Sequence, residues 1–313
     1  MQGIAAMKDF YIDTDLGFQE AQKFHGRVPT EDDYDILVDA DEVDDDFRVW
    51  GPANMFGERE LLAGVKRKVF PKDVYDRIVS TSQTIKHTSD LRTAQAGPWD
   101  PEELFKKFGW IEGEHYKFKG NTRNALIRKK KDGTWDTVAR GKAIHSVLLG
   151  YKRGRFTGQI ELDAWSKKNP EELKVFFEMN DFAAEAYDFI APKEYKEQVI
   201  FADKYIKQDH RLNGTVFTTM SLNQYTENET SMMGYHIDAG DLNSSLTCIS
   251  VFKVGDYKGA YFILPQHRCA ISIGDGDVFV GDSRKQHGIS EIEGPGMRIS
   301  CVSYCDTRMA SVK

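Results

Sequence analysis

The sequence predicts an α+β protein whose core is a double-stranded β-helix, a jelly-roll or cupin-like barrel, with helices packed outside it. Two observations carry that expectation. Between residues 215 and 304, six β-rich runs alternate apolar and polar positions and are separated by Gly, Asp, Asn and Pro turns. Before them the apolar residues recur at helical spacing, most clearly in NPEELKVFFEMNDFAAEAYDFIAP, with Leu173, Phe176, Phe177, Phe182, Ala183 and Tyr187 on the pattern and Pro192 closing it. Several short strands after a helical region suggest a closed sheet with helices on its outside.

Four segments follow from this pattern. Residues 1–60 are acidic and weakly periodic and read as a partly disordered or surface extension. Residues 61–205 read as mainly helical, with PKDVYDRIVS (71–80) and DPEELFKKFG (100–109) each carrying proline near the start, where a missing N–H costs nothing. The barrel is expected over residues 206–306, from TVFTTMSLNQY (215–225) through LTCISVFKV (246–254), AYFIL (260–264), CAISI (269–273) and DVFVG (277–281) to MRISCVSY (297–304). Residues 307–313 are a tail.

With 313 residues and 40% hydrophobic content the chain can bury a sizeable core. No apolar run approaches the ~20 residues of a membrane span, and the N-terminus lacks a signal pattern. The expectation is a soluble monomer inside a cell, nuclear, cytoplasmic or virus-encoded, with no membrane partner. Cys248, Cys269, Cys301 and Cys305 show neither CxxC spacing nor the density of a disulfide scaffold, so reduced thiols are expected. The net charge of −7 hides an asymmetry: Glu31 to Asp46 holds ten acids and no base, whereas Lys117 to Arg155 holds twelve Lys or Arg against Asp132 and Asp136. Local charge therefore says more about partners than the total does.

The chemistry is concentrated in the strand-rich part. In GYHIDAGDL, His236 and Asp238 stand two apart, so in a strand they present an imidazole and a carboxylate to one face. His287, following the strand-like GDVFVGD, supplies a third ligand. Two histidines and one carboxylate with other positions open is the facial arrangement of non-haem Fe(II) oxygenases. A lone HxD is unremarkable in a chain this rich in Asp, and zinc accepts the same three ligands. GMRISCVSY adds a constraint, because Arg298 and Ser300 share an inward strand face and a cation inside a small barrel is costly without an anion. A guanidinium fork and a hydroxyl suit the distal carboxylate of 2-oxoglutarate. The ordinary alternative for Arg298 is a surface position on an edge strand.

The stretches NQYTENETSMMGYHIDAGD, GDVFVGDSRKQHG and GMRISCVSY resemble the Fe(II)/2-oxoglutarate dioxygenases, and among them the Tet/JBP family of nucleic-acid pyrimidine dioxygenases, over about residues 210 to 305. The resemblance implies a dioxygenase that needs Fe(II), 2-oxoglutarate and O2, leaves room for ascorbate, and oxidises the methyl group of a pyrimidine in DNA, 5-methylcytosine before thymine. It implies His236, Asp238 and His287 as catalytic iron ligands, and Arg298 and Ser300 as cosubstrate ligands. Asn223 and Tyr225 resemble an NxY element that holds the same cosubstrate, and Asp241 stands where relatives contact the target base. KGAYFILP departs from the Gly-Gly pair of many relatives, which puts the pocket shape around Ala260 in question.

Two basic stretches bear on a nucleic-acid partner. FKGNTRNALIRKKKDGTW and GYKRGRF concentrate cations among aromatic residues, and Lys129, Lys130, Lys131, Arg153 and Arg155 are the candidate phosphate contacts. RKKKDGTW reads equally as a solvated hairpin turn. A 2-oxoglutarate hydroxylase of protein side chains or small metabolites would share the iron constellation without needing this surface. A cupin-like binding module without turnover would keep only the barrel. The acidic segment could also shield the basic one.

Overall fold

The alternating runs of the C-terminal third pair into two facing sheets in the computed structural model, which describes residues 7–85, 90–91, 97–121, 123–144, 146–154, 157–226, 234–238, 242 and 245–310. The strands of these sheets are β1 (Lys8–Tyr11), β2 (Ile36–Val38), β3 (Phe47–Ala53), β4 (Arg59–Lys66), β5 (Ser146–Arg153), β6 (Ile160–Leu162), β7 (Thr219–Thr226), β8 (Thr247–Val254), β9 (Phe262–Leu264), β10 (Cys269–Ile271), β11 (Val278–Gly281), β12 (Gly288–Ile289) and β13 (Met297–Tyr304). The larger sheet has the order β1-β3-β4-β11-β8-β13-β7-β5-β6 and the smaller the order β12-β9-β10-β2. From β7 onward the chain alternates between them: β8, β11 and β13 lie in the large sheet, β9, β10 and β12 in the small one. That winding is a double-stranded β-helix within an α+β fold, as the sequence predicts.

Strand alternation separates two cores. Cys248 and Phe252 of β8, Val278 and Val280 of β11, and Ile299 and Cys301 of β13 pack under helices. Their neighbours Ile249, Val251 and Phe279 face the small sheet and meet Phe262, Leu264 and Ile271. The helices are α1 (Phe18–Gln22), α2 (Lys72–Thr84), α3 (Pro101–Phe108), α4 (Ala164–Lys168), α5 (Pro170–Ile190) and α6 (Pro192–Tyr205). α5 buries Leu173, Phe176, Ala183 and Tyr187 of the expected stripe, together with Met179 and Ile190, against the large sheet, while Phe177 and Phe182 are only partly buried. Pro192 does more than close α5: it opens α6 at a first-turn position, where its missing N–H leaves no bond unmade.

Residues 7–60 are not a surface extension. β1, β3 and β4 continue the large sheet beyond β11, and β2 pairs with β10 in the small one. Phe47, Val49 and Val65 have no more than 1% of their surface exposed. The acids that dominate the composition stand largely in the turns, and several meet cations there: Asp33 meets Arg27, Asp35 meets Arg268, Asp41 meets Lys253 and Asp46 meets Lys66. None of these four cations belongs to the 117–155 stretch, so the contacts give no support to shielding of the basic segment by the acidic one. Residues 61–205 are likewise not mainly helical before α4. β5 and β6 form the far edge of the large sheet, and β5 pairs with β7.

Between α2 and β5, residues 97–142 build a small satellite with its own apolar cluster. Leu104, Tyr116 and Leu126 are buried under Trp99, Trp110 and Phe118. Its helix α3 begins at Asp100, whose carboxylate accepts from the Glu102 N–H, and ends at Gly109 in the left-handed conformation. A hairpin pairs Tyr116–Phe118 with Leu126–Arg128. Among the described residues no helix is long and apolar enough to cross a membrane.

Candidate metal and cosubstrate site

His236 and His287 are direct cross-strand partners, each backbone N–H donating to the other's carbonyl at 2.9 and 3.0 Å. The pairing is a single bridge at the mouth of the barrel rather than part of a long strand. It holds the two imidazole rings with centroids 4.4 Å apart. Each ring's Nδ1 lies against a backbone carbonyl two residues away, Gly234 for His236 at 2.8 Å and Lys285 for His287 at 2.9 Å. A carbonyl can only accept, so each Nδ1 carries the proton and each Nε2 presents its lone pair. The fixed tautomer is the one that metal-binding histidines use.

Asp238 completes the group. Its backbone N–H donates to the Ser283 carbonyl at 3.0 Å, tying it to the loop that leads to His287. Its carboxylate oxygens stand 3.7 Å from His236 Nε2 and 3.9 Å from His287 Nε2. One ligand atom from each residue lies within 4.8 Å of the others, a spacing a single ion can bridge. His236 and His287 are buried, at 2% and 4% exposed, while Asp238 is half-buried and leaves one side open. Phe262 stacks on the His287 ring at 5.0 Å and 13°, so β9 fixes that ligand's orientation. Lone-pair nitrogens and one carboxylate suit a divalent first-row metal such as Fe(II).

Arg298 and Ser300 of β13 and Asn223 and Tyr225 of β7 form two directly opposed pairs, Asn223 with Ser300 and Tyr225 with Arg298. Opposed residues of an antiparallel pair project from the same face, so all four side chains share one side of the sheet. All four are buried. Arg298 is 2% exposed, and its Nη2 has no hydrogen-bond partner. Burial depresses its guanidinium below the ordinary arginine range, with Tyr257 and Tyr225 opposing that shift. A buried cation with an unused donor is what an absent anion would satisfy, so the residues present fit the distal carboxylate of 2-oxoglutarate.

Tyr257 is the site residue that sequence reasoning missed. It follows β8 in the turn GDYKG, where no periodicity marks it, yet it is only 7% exposed. Burial pushes its hydroxyl up to about 12, against the pull of Arg298. Ala260 lies nearby in the chain with φ of +57°, a left-handed conformation that normally favours glycine. Gly259 and Ala260 are thus both left-handed, and Ala260 carries a methyl group at a position that glycine would suit.

The polar surface residues divide. Lys129, Lys130 and Lys131 are exposed on the hairpin turn, and among the described residues none has a carboxylate partner. Asp132 shapes that turn by accepting from the Thr134 N–H at 2.9 Å, so the hairpin reading and the exposed lysines hold together. Arg153 lies apart from them at the end of β5, donating to the Gly158 carbonyl. Arg155 and Asp241 fall outside the described residues.

Comparison with known proteins supplies the context. Residues 157–307 match the model of the Tet_JBP family, described as the oxygenase domain of the 2OGFeDO superfamily. Over 117 residues the chain is 35% identical to the bifunctional helicase and thymine dioxygenase JBP2 of Trypanosoma brucei brucei, covering 36% of this chain and 10% of that protein. Over 128 residues it is 29% identical to JBP2 of Leishmania infantum, covering 40% and 11%. The matched part thus spans about a tenth of the length of these curated relatives. The solved structure of NgTET1 in complex with 5mC DNA superposes with a TM-score of 0.54 at 12% identity, over 88% of this chain and 83% of that one, which is a likeness of fold. The family match thus takes in residues 157–307, just under half of the chain, and is to the Tet_JBP oxygenase domain of the 2OGFeDO superfamily.

Proposed function

We propose that this chain is an Fe(II)/2-oxoglutarate-dependent dioxygenase that oxidises the methyl group of a pyrimidine base in DNA. The observation that carries the reading is the convergence of His236 Nε2, His287 Nε2 and the Asp238 carboxylate, in a fold that also buries an unpartnered Arg298 donor. The iron would be held by those three ligands. Its cosubstrate would run to Arg298 and Ser300, with Asn223, Tyr225 and Tyr257 around it. The chemistry supplied there is oxidation of a C–H bond coupled to decarboxylation of 2-oxoglutarate by O2.

The protein's own part is positioning. The Nδ1 hydrogen bonds hold both imidazoles aimed with Nε2 toward the metal position, and Phe262 packs against one ring to keep water from that side. A base inside a duplex cannot reach a site at the barrel mouth, so the target nucleotide has to leave the stack. Asp241 would then accept a hydrogen bond from the base, because an ionised carboxylate only accepts. The exocyclic amine of 5-methylcytosine offers such a donor outside the ring, which makes it the first substrate to test. Thymine, named in the JBP2 relatives, is the second reading, through its ring N–H.

Mass spectrometry of nucleosides after incubation with methylated and unmethylated DNA, Fe(II) and 2-oxoglutarate tests both. 5-Hydroxymethylcytosine is the expected product, and 5-hydroxymethyluracil would move the assignment to thymine. Succinate release with no oxidised base in either DNA would refute DNA as the substrate. Asp241→Ala should cut base oxidation while 2-oxoglutarate binding persists.

A further inference from the structure

We propose that the satellite of residues 97–142 is a clamp for unpaired nucleic-acid bases, with Phe105 and Phe108 as its stacking platforms. The inference rests on the DNA reading above and adds a second contact surface to it. α3 buries only Leu104 and turns Phe105 and Phe108, one turn apart, to solvent at 59% and 49% exposure. Adjoining exposed rings rimmed by polar residues are the kind of patch that marks an interaction site, unlike apolar residues scattered singly.

The chemistry around them is that of a nucleic-acid surface. The Phe108 ring lies 4.9 Å from Trp110, and the Arg128 guanidinium stands 4.7 Å over Trp110 on the neighbouring hairpin. Farther along, Lys129 lies 5.8 Å from the Trp135 ring. Rings and cations therefore alternate from helix to hairpin turn, which matches bases stacked on π faces beside phosphates held by positive charge. The satellite holds eleven Lys and Arg against seven Asp and Glu, a positive unit in a chain of net −7. A polyanion is attracted to that segment and repelled by the rest.

Its position joins it to the candidate site. Asn124, buried in the satellite, packs so closely on Gly26 that no Cβ fits there, and Gly26 N–H donates to the carbonyl of Tyr235, the neighbour of His236. Extruding a target base exposes its former partner and disturbs the stack beside it. Two solvent-facing rings on a cationic module next to the barrel mouth suit those exposed bases.

The test compares wild type with Phe105→Leu/Phe108→Leu, which keeps apolar bulk but removes the π faces at exposed positions. Fluorescence anisotropy on single-stranded DNA, on a duplex with one unpaired base and on an intact duplex should show weaker binding of the first two by at least ~5-fold, the lower end for one lost stack. Binding to the intact duplex should change far less. Phe108→Trp should retain wild-type binding, and unfolding midpoints check that the fold survives. Equal affinity of the leucine variant for unpaired DNA would overturn the clamp, as would wild-type self-association that the variant abolishes, which assigns the patch to a second copy. The DNA reading is scored separately by nucleoside mass spectrometry. Base oxidation with unchanged leucine-variant binding rejects the clamp alone, whereas absent oxidation with lost binding rejects the enzyme reading alone.

Discussion

Arg298→Met separates function from stability in opposite directions. In the ligand-free fold the guanidinium is 2% exposed and leaves Nη2 without a partner, so burial of the charge is only partly compensated. Replacing even a buried ion pair by apolar residues of similar volume is commonly neutral or stabilising by about 1–4 kcal/mol, and removing a partly compensated buried cation should act in the same direction. Cosubstrate binding should move the other way. A carboxylate clamp forms two charge-assisted hydrogen bonds, each contributing about 1.5–3 kcal/mol, so their loss weakens 2-oxoglutarate by roughly two to four orders of magnitude. Anaerobic calorimetric titration of the Fe(II)-loaded protein reads that loss. Urea unfolding reads the stability: at a hundred times the wild-type Kd the cosubstrate should stabilise wild type by about 2.7 kcal/mol and Arg298→Met by no more than about 0.4 kcal/mol. Tyr225 and Tyr257 remain in the variant, so the pocket keeps its walls. Destabilisation by several kcal/mol together with 2-oxoglutarate affinity within threefold of wild type would show that Arg298 is a structural cation and refute the reasoning.

Other perturbations give independent checks. His236→Ala and Asp238→Ala should each weaken Fe(II) or Mn(II) binding more than the ~10–100-fold that outer-sphere partners cost, with the unfolding midpoint nearly kept, because the His236–His287 pairing is made by backbone atoms; unaltered metal affinity in either would dissolve the triad. Replacing Lys129, Lys130 and Lys131 with Ala should flatten the log–log salt dependence of DNA binding by up to about 2.7, three contacts at ~0.9 each, and an unchanged slope would leave the hairpin as a solvated turn. His267 is 2% exposed and burial holds its imidazole below the ordinary histidine range. The unfolded chain therefore takes up protons first. Stability should be full above about pH 6.5 and decline as pH falls toward the lower folded value, a decline that urea titrations should find reduced in His267→Gln and that identical pH profiles would contradict.

Much of this was legible where side-chain period and chemistry coincide. β7 and β13 alternate in polarity because one face meets helices and the other the barrel interior, so an Arg on the inner face stands out. That Arg298 and Ser300 share a face follows from that parity, whereas Asn223 and Tyr225 came only with the family resemblance, and their opposition to Ser300 and Arg298 depends on a register that no single strand encodes. Composition misled in the first sixty residues, where ten acids between Glu31 and Asp46 masked short strands. β2 is three residues long and buries only Val38, too little for any periodic signal. β5 escaped because the cationic end of SVLLGYKR reads as part of a basic stretch rather than as a strand. Tyr257 escaped because its burial comes from tertiary packing around a turn.

Those N-terminal strands matter to the site more than to the outline of the fold. The family-matching region ends its large sheet at β11 and its small sheet at β10, leaving both with an open edge that β4 and β2 cover. The cover also carries compensation. Asp277 is fully buried, its carboxyl raised by desolvation, and it is held by the Lys68 N–H at 2.9 Å and an ion pair with Arg67 at 2.8 Å, both from just beyond β4. Arg67 in turn donates to the carbonyls of Ala40 and Val43 in the acidic segment. On the metal side, the Tyr235 N–H donates to the Arg27 carbonyl and its hydroxyl to Asp33, so the residue before His236 is fixed by the N-terminal segment while His236 itself is fixed by His287. Removing residues before 157 would therefore leave a buried carboxylate without its cation and a metal ligand anchored from one side only. The acidic segment, unremarkable as a motif, is part of what orients His236, the first of the three proposed iron ligands.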